Sequence, residues 1–187
     1  MQGRRRAVHR PAFGAGLLLA LHRRRRHALR HPSHPRSGGR LLLTDARVSV
    51  RRLTIPGRLE AIEAACECVE AGARDAGFNE PTSYACQLAV AEACENIVIH
   101  GYGRQAGGDI RVEVTAAPGD LTIRLEDSAP PFNPARRPGD QEWDRHDPPV
   151  GGLGLQIIHR VMDRVSYSRR ASLNRLTMRK HVAGTPG

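Results

Sequence analysis

Residues 89–102 read Ala-Val-Ala-Glu-Ala-Cys-Glu-Asn-Ile-Val-Ile-His-Gly-Tyr, and the spacing of their polar members organises the reading of the whole chain. Leu88, Glu92, Asn96 and His100 follow one another at four-residue steps. On a 3.6-residue period this sets Glu92 and Asn96 on one helical face, with His100 drifting slightly round it. Val90, Ala93, Ile97 and Val98 offer apolar positions for packing on a sheet. The stretch predicts the end of a helix over residues 81–99, started by Thr82 or Ser83 and stopped by Gly101. A carboxylate and a carboxamide one turn apart beside a core are costly unless partnered. Glu92 can serve as general base on a hydroxyl or water, and Asn96 offers a hard oxygen suited to Mg2+. A solvated helix face carries the same E-x-x-x-N spacing, so the pair has to be judged with its neighbours.

Upstream, residues 47–55 are β-like and end at Pro56-Gly57. Residues 58–76 predict a helix whose stripe is Ile62, Cys66, Val69 and Ala73, ended by Gly77. Downstream, Ile110, Val112 and Val114 alternate as a strand. A tight turn at Pro118-Gly119-Asp120 leads to a second strand through Leu121, Ile123 and Leu125. That hairpin ends at Asp127, a carboxylate able to accept from an adenine amino group, or an ordinary turn aspartate. Residues 128–150 form a long proline-rich loop. Gly151-Gly152-Leu153-Gly154-Leu155 then opens a helix reaching Met162-Asp163: either a phosphate site made of free N–H groups or a flexible glycine turn. Strands near 164–169 and 173–181 complete an α+β pattern, a mostly antiparallel sheet with helices on one face.

Composition narrows the function. The 187 residues carry a net charge of +10. Twelve arginines and a single aspartate fall in residues 1–47, leaving the remainder near neutral. The basic character thus belongs to an Arg/His/Pro-rich tail over 1–45, expected to be disordered or translated upstream of the true start. The folded domain is expected over 46–187. Nucleic-acid binding is then limited to nonspecific tail contacts. No apolar run approaches the roughly 18 residues of a membrane span, and Ala12–Leu21 lacks the cleavage site of a signal peptide. Cys66, Cys68, Cys86 and Cys94 form no C-x-x-C pair and read as reduced, buried apolar residues of a cytoplasmic protein. Lys180 is the only lysine, so no Walker A loop exists, and protein-kinase, Rossmann and G-x-S-x-G signatures are absent too.

Glu92-x-x-x-Asn96, then Asp127 leading into Ser-Ala-Pro-Pro-Phe-Asn-Pro, then Gly151-Gly152-Leu153-Gly154-Leu155 resemble the N, G1 and G2 boxes of the GHKL (histidine kinase-like) ATPase superfamily. Residues 89–102, Met162-Asp163 and Arg179-Lys180-His181 are similar, more closely, to bacterial anti-sigma factor serine/threonine kinases. The resemblance covers residues 46–182. It implies a two-layer α/β sandwich of the Bergerat type, with a mixed, mostly antiparallel sheet and helices on one face. It implies that Glu92 activates a serine hydroxyl on a protein substrate, that Asn96 holds Mg2+ bridging the phosphates of ATP, and that Asp127 binds the adenine amino group. Gly152 and Gly154 would face the phosphates from the nucleotide lid, with His100, Gly101, Ala129, Gly151 and Leu153 as further nucleotide-binding positions. ATP and Mg2+ are the implied cofactors. The implied partners are a sigma factor, an anti-anti-sigma antagonist of STAS type, and a second copy of the chain. Two positions depart from the family: its D-x-G is Asp127-Ser128-Ala129 here, and Leu173-Asn174 stands where relatives often carry Gly-Thr near the adenine. The alternative reading is a nucleotide-binding, partner-switching module without efficient phosphoryl transfer.

Overall fold

The computed structural model describes residues 48–103, 107–134 and 153–182, all within Ser37–Gly187, the second of two units into which the chain divides. The tail expected over 1–45 lies outside the described residues. Strand β1 (Ser49–Pro56) leads through a short 3-10 turn into helix α1 (Ile62–Asp75), followed by α2 (Glu80–Asn96). Strands β2 (Asp109–Ala117) and β3 (Asp120–Asp127) form the expected hairpin, and α3 (Leu153–Val161) precedes β4 (Arg164–Arg170) and β5 (Leu173–His181). The sheet order is β1-β2-β3-β5-β4. All four pairings are antiparallel, so the mixed sheet expected from the resemblance is wholly antiparallel among the described residues.

Strand alternation sorts side chains between the two faces. Ile110, Val112 and Val114 of β2, Leu121, Ile123 and Leu125 of β3, and Leu176 and Met178 of β5 are buried on one face. The α1 stripe, including Ile62, Cys66, Val69 and Ala73, is buried as its periodicity predicts. The opposite face carries ion pairs instead: Glu113 bonds Arg52 at 2.8 Å and Arg124 at 2.5 Å, and Glu126 pairs with Arg175 at 2.6 Å. Asp75, at the end of α1, accepts from Ser49 Oγ at 2.7 Å and Arg51 at 2.8 Å, clasping the helix to β1.

Two helix boundaries differ from the sequence reading. The cap of α2 is Asn79, whose side-chain oxygen accepts from the Thr82 N–H at 2.9 Å. Proline has no N–H and fits the first turn, so the cap precedes Pro81 rather than following it. At the other end the α-helix stops at Asn96 and widens into a π-turn over Ile97–Gly101, with Tyr102 N–H donating to Ile97 O at 2.9 Å. Gly77 follows α1 at φ +76° as expected, the left-handed position that favours glycine.

Gly72 sets the approach of α1 to the sheet, because a Cβ there would run into Val114 Cγ1. Gly72→Ala is therefore expected to destabilise by about 1–2 kcal/mol, overpacking outweighing better helix propensity. Urea unfolding reads the loss, and adding Val114→Ala should recover part of it.

Candidate functional site

Helix α2 brings three polar side chains into buried positions: Glu92 and Asn96 are each 9% exposed and Glu95 7%. The other side of the site is built from the end of β3, the turn after it and the start of β5, which supply Asp127, Ala129 and Asn174, all buried. Asn96, Gly101, Asp127, Ala129, Phe132 and Asn174 line one cavity between α2 and the sheet end. The structure thus joins the first two sequence boxes in one pocket. The third box reaches the same place through Gly154: a Cβ on it would lie 2.5 Å from Glu92 Oε2 and 3.6 Å from Asn96 Nδ2. The glycine lets α3 seat its first turn closely on these two side chains, since a Cβ would require the Glu92 carboxylate to shift. Gly151, Gly152 and the side chain of Leu153 lie outside the described residues.

His100 is placed differently. It lies on the π-turn that follows the α-helix, beside a residue that lines the pocket. It is exposed, with its ring 6.3 Å from that of Phe132. Gly101 takes the pocket position, so close to Ala129 that a Cβ there would lie 2.7 Å from the Ala129 methyl. The D-S-A turn needs no left-handed backbone, since Ala171 is the only non-glycine residue with positive φ among the described residues. The alanine is accommodated by its glycine neighbour.

The base of the pocket is a hydrogen-bonded cluster. Asp127 Oδ1 accepts from Ala129 N–H at 2.9 Å and from Asn174 Nδ2 at 2.8 Å. Asn174 Nδ2 also donates to Ala129 O at 2.9 Å. Asn174 Oδ1 accepts from Tyr167 Oη at 2.7 Å and Arg169 Nη1 at 2.5 Å. The sequence reading noted Asn174 only as a departure and passed over Tyr167 and Arg169; the alternation of β4 and β5 toward the pocket was the available signal. Tyr102 is a second missed element. Its hydroxyl donates to Asp109 O at 3.2 Å and accepts from Ser128 N–H at 3.3 Å, linking the π-turn to the D-S-A turn. From α3, His159 Nε2 donates to Pro134 O at 3.0 Å, holding the segment after Asp127 against that helix.

The electrostatics follow from burial. Desolvation raises the Glu92 carboxyl above its ordinary value. Desolvation, then the neighbouring Glu92 charge, push Glu95 up to about 7. Burial also raises the thiols, Cys66 and Cys86 to about 12, so they stay protonated; Cys66, Cys86 and Cys94 are buried as read, whereas Cys68 is half-buried. Asn96 Nδ2 is buried without a hydrogen-bond partner. An orphaned carboxamide facing a cavity fits a site that a ligand completes. Among the described residues no group of three or more His, Cys, Asp or Glu gathers to cage a metal. Mg2+ needs no such cage: it is held by one or two side-chain oxygens, water and substrate phosphates, and the Asn96 oxygen fits that part.

Two outcomes are expected. Gly101→Ala should destabilise the protein by about 1–3 kcal/mol through its clash with Ala129, and Ala129→Gly in the same chain should restore most of the loss in urea unfolding. For Glu95 the folded-state value near 7 exceeds the ordinary 4.5, so the folded state holds the proton more tightly and stability falls as pH rises from about 4.5 to 7. Glu95→Gln removes that fall. At pH 8 it should exceed the unsubstituted protein in stability by on the order of 1 kcal/mol after solvent screening, with no difference at pH 4.

The chain matches the histidine kinase-like ATPase domain over residues 55–180. The serine-protein kinase RsbW of Listeria monocytogenes is 30% identical over 118 residues, covering 60% of this chain and 75% of that protein. An anti-sigma F factor of Clostridium botulinum is 30% identical over 78 residues, 41% of this chain and 54% of that protein. A crystal structure of RsbU and RsbW domains from Mycobacterium tuberculosis is 16% identical with a TM-score of 0.49, covering 74% of this chain and 35% of that one. No helix among the described residues is long and apolar enough to cross a membrane. With the N-box helix, the Asp127 pocket and Gly154 converging inside the matched region, the chain belongs to the histidine kinase-like ATPase family, in the group of the anti-sigma factor serine kinases.

Proposed function

We propose that this chain is an ATP-dependent serine/threonine protein kinase of the anti-sigma type. In this reading it phosphorylates a serine of a STAS-type anti-anti-sigma protein and, in its other state, holds a sigma factor. The observation that carries the reading is the convergence of Glu92, Asn96 and Gly154 beside the Asp127 pocket. The names of the relatives support it. Asp127 accepts from the adenine amino group through Oδ2, since Oδ1 is already engaged by Ala129 and Asn174. The Asn96 carboxamide oxygen holds Mg2+, which when bound neutralises phosphate charge. The close seat of Gly154 leaves its backbone, at the start of α3, beside the phosphate end. Glu92 accepts the serine proton as the hydroxyl oxygen attacks the γ-phosphorus and ADP leaves. Burial favours that role, because a carboxylate raised toward neutrality is the stronger base. A homodimer and a cytoplasmic location belong to the same proposal.

One observation favours the second reading, a nucleotide-bound switch without efficient transfer. The only lysine of the chain is committed elsewhere, Lys180 Nζ lying 2.8 Å from Asp163 Oδ1, so no described lysine is left for the transferring phosphoryl group. Phosphate transfer to a STAS-type partner separates the two. Glu92→Gln should lower the transfer rate about 100- to 10,000-fold while ADP affinity, read by calorimetry, stays within a few-fold. Asn96→Ala should weaken Mg2+-dependent nucleotide binding itself. Transfer that survives Glu92→Gln removes Glu92 as the base. Tight ADP binding with no transfer in the unsubstituted chain selects the switch.

A further inference from the structure

Asn174 has two donor hydrogens and two acceptor lone pairs, and all four are used. Its Nδ2 serves Asp127 Oδ1 and Ala129 O, and its Oδ1 receives Tyr167 and Arg169. The neighbours also fix which way the amide faces. Two acceptors surround the nitrogen, and Arg169, which can only donate, faces the oxygen beside the Tyr167 hydroxyl, so the flipped amide would oppose like with like at three of its four contacts. A saturated side chain has nothing left to offer a ligand. Asn174 lines the pocket without being a ligand contact of its own.

Its effect is on Asp127. With Oδ1 held by Asn174 Nδ2 and the Ala129 N–H, the carboxylate cannot turn about its bond to the chain. Ala129 is held in turn, its carbonyl accepting from Asn174 and from Arg169 Nη1 at 3.0 Å. The whole D-S-A turn is therefore tied to β4 and β5. From this geometry we infer that Asn174, supported by Tyr167 and Arg169, is the positioning residue that makes the pocket selective for 6-aminopurines over 6-oxopurines. The inference rests on the nucleotide reading above and deepens it.

The chemistry is a matter of donors and acceptors. A 6-aminopurine presents a donor at C6 and an acceptor at N1. A 6-oxopurine presents the reverse, an acceptor at C6 and a donor at N1. A free carboxylate can turn and accept from either position. A carboxylate locked on one oxygen offers a single acceptor in one direction, so the 6-oxo group meets it acceptor to acceptor, leaving two buried groups without partners. Removing the Asn174 amide leaves Oδ1 with the Ala129 N–H alone, which loosens the carboxylate and lets water bring donors into the gap.

The test uses the full chain with ADP and IDP, which differ only at this edge of the base, and reads both dissociation constants by calorimetry. The unsubstituted chain is expected to prefer ADP about 10- to 100-fold. In Asn174→Ala the preference should fall below about threefold, with IDP affinity gaining or holding while ADP affinity drops. Tyr167→Phe removes one of the two donors to Asn174 and should lower the preference by a smaller factor, about threefold. It also decides the matter if Asn174→Ala does not fold. A residue that only stabilised the fold would weaken ADP and IDP together and leave their ratio unchanged. An unchanged ratio in the folded variants overturns the inference while leaving the nucleotide reading intact. Failure of the unsubstituted chain to bind either nucleotide overturns both.

Discussion

The structure turns on the burial of three polar side chains along one helix. Glu92, Glu95 and Asn96 occupy positions of α2 where an ordinary packed helix would carry apolar residues, and water is largely excluded from all three. Neither carboxylate is neutralised by a described cation, so both rise in pKa, and one end of the Asn96 amide is left without a partner. Such a helix is tolerated because its other faces are fully used: Ala89, Val90, Ala93 and Cys94 are buried around the same turns. The neighbours approach closely. Gly101 comes against Ala129, where a Cβ would meet the methyl, and Gly154 comes against the carboxylate end of Glu92. The two glycines that look like loop residues in the sequence are packing residues in the fold.

Most of the architecture was legible from periodicity. The alternation in β2 and β3, the stripe of α1 and the turn at Pro118-Gly119-Asp120 each state their structure locally, and each formed as read. The candidate site was legible in the residues that come together: Asn96 and Asp127 line one cavity, and Gly154 seats against Glu92 and Asn96. The misses share a cause. The π-turn that carries His100 depends on an i to i+5 hydrogen bond from Tyr102 to Ile97, and no 3.6-residue template contains that register. Asn174, Tyr167 and Arg169 belong to a cluster whose members come from three strands and whose register is set only when β3, β5 and β4 pair, Asp127 opposite Asn174 and Asn174 opposite Arg169. Contacts of that kind are products of topology, and a linear reading sees three ordinary polar residues.

Net charge was a poor guide for a related reason. The folded part is nearly neutral in sum, yet the charges are segregated. The segment from Arg58 to Gly101 carries Glu60, Glu63, Glu67, Glu70, Asp75, Glu80, Glu92 and Glu95 against two arginines, while β4 and β5 carry arginines and Lys180 with no acid at all. The acidity of the helical layer acts inside the site. After burial, the charges of Glu63, Glu67 and Glu95 are what hold the Cys66 thiol high, and Glu92 raises Glu95. The basic hairpin acts at the other end, where Arg169 reaches back to the Ala129 carbonyl.

The two ends of the pocket are thus built on opposite principles. At Asp127 every hydrogen-bonding group of the supporting amide is satisfied, and a saturated buried network is rigid. At Glu92 and Asn96 the groups are desolvated but incompletely partnered, so they gain by meeting a ligand. A site arranged this way separates binding from chemistry. In the proposed reading the base is gripped by a preformed surface that loses little entropy on contact, and that grip lies away from the reacting atoms. Binding energy realised there can be spent on bringing charged phosphates against a buried carboxylate, a juxtaposition unfavourable by itself. The arrangement also explains how Ala129 is accommodated where the D-x-G pattern calls for glycine. Its place is governed by the rigid end, where the Asn174 and Arg169 donors fix its carbonyl and Gly101 makes space for its methyl, so the substitution is absorbed before it reaches the phosphate end.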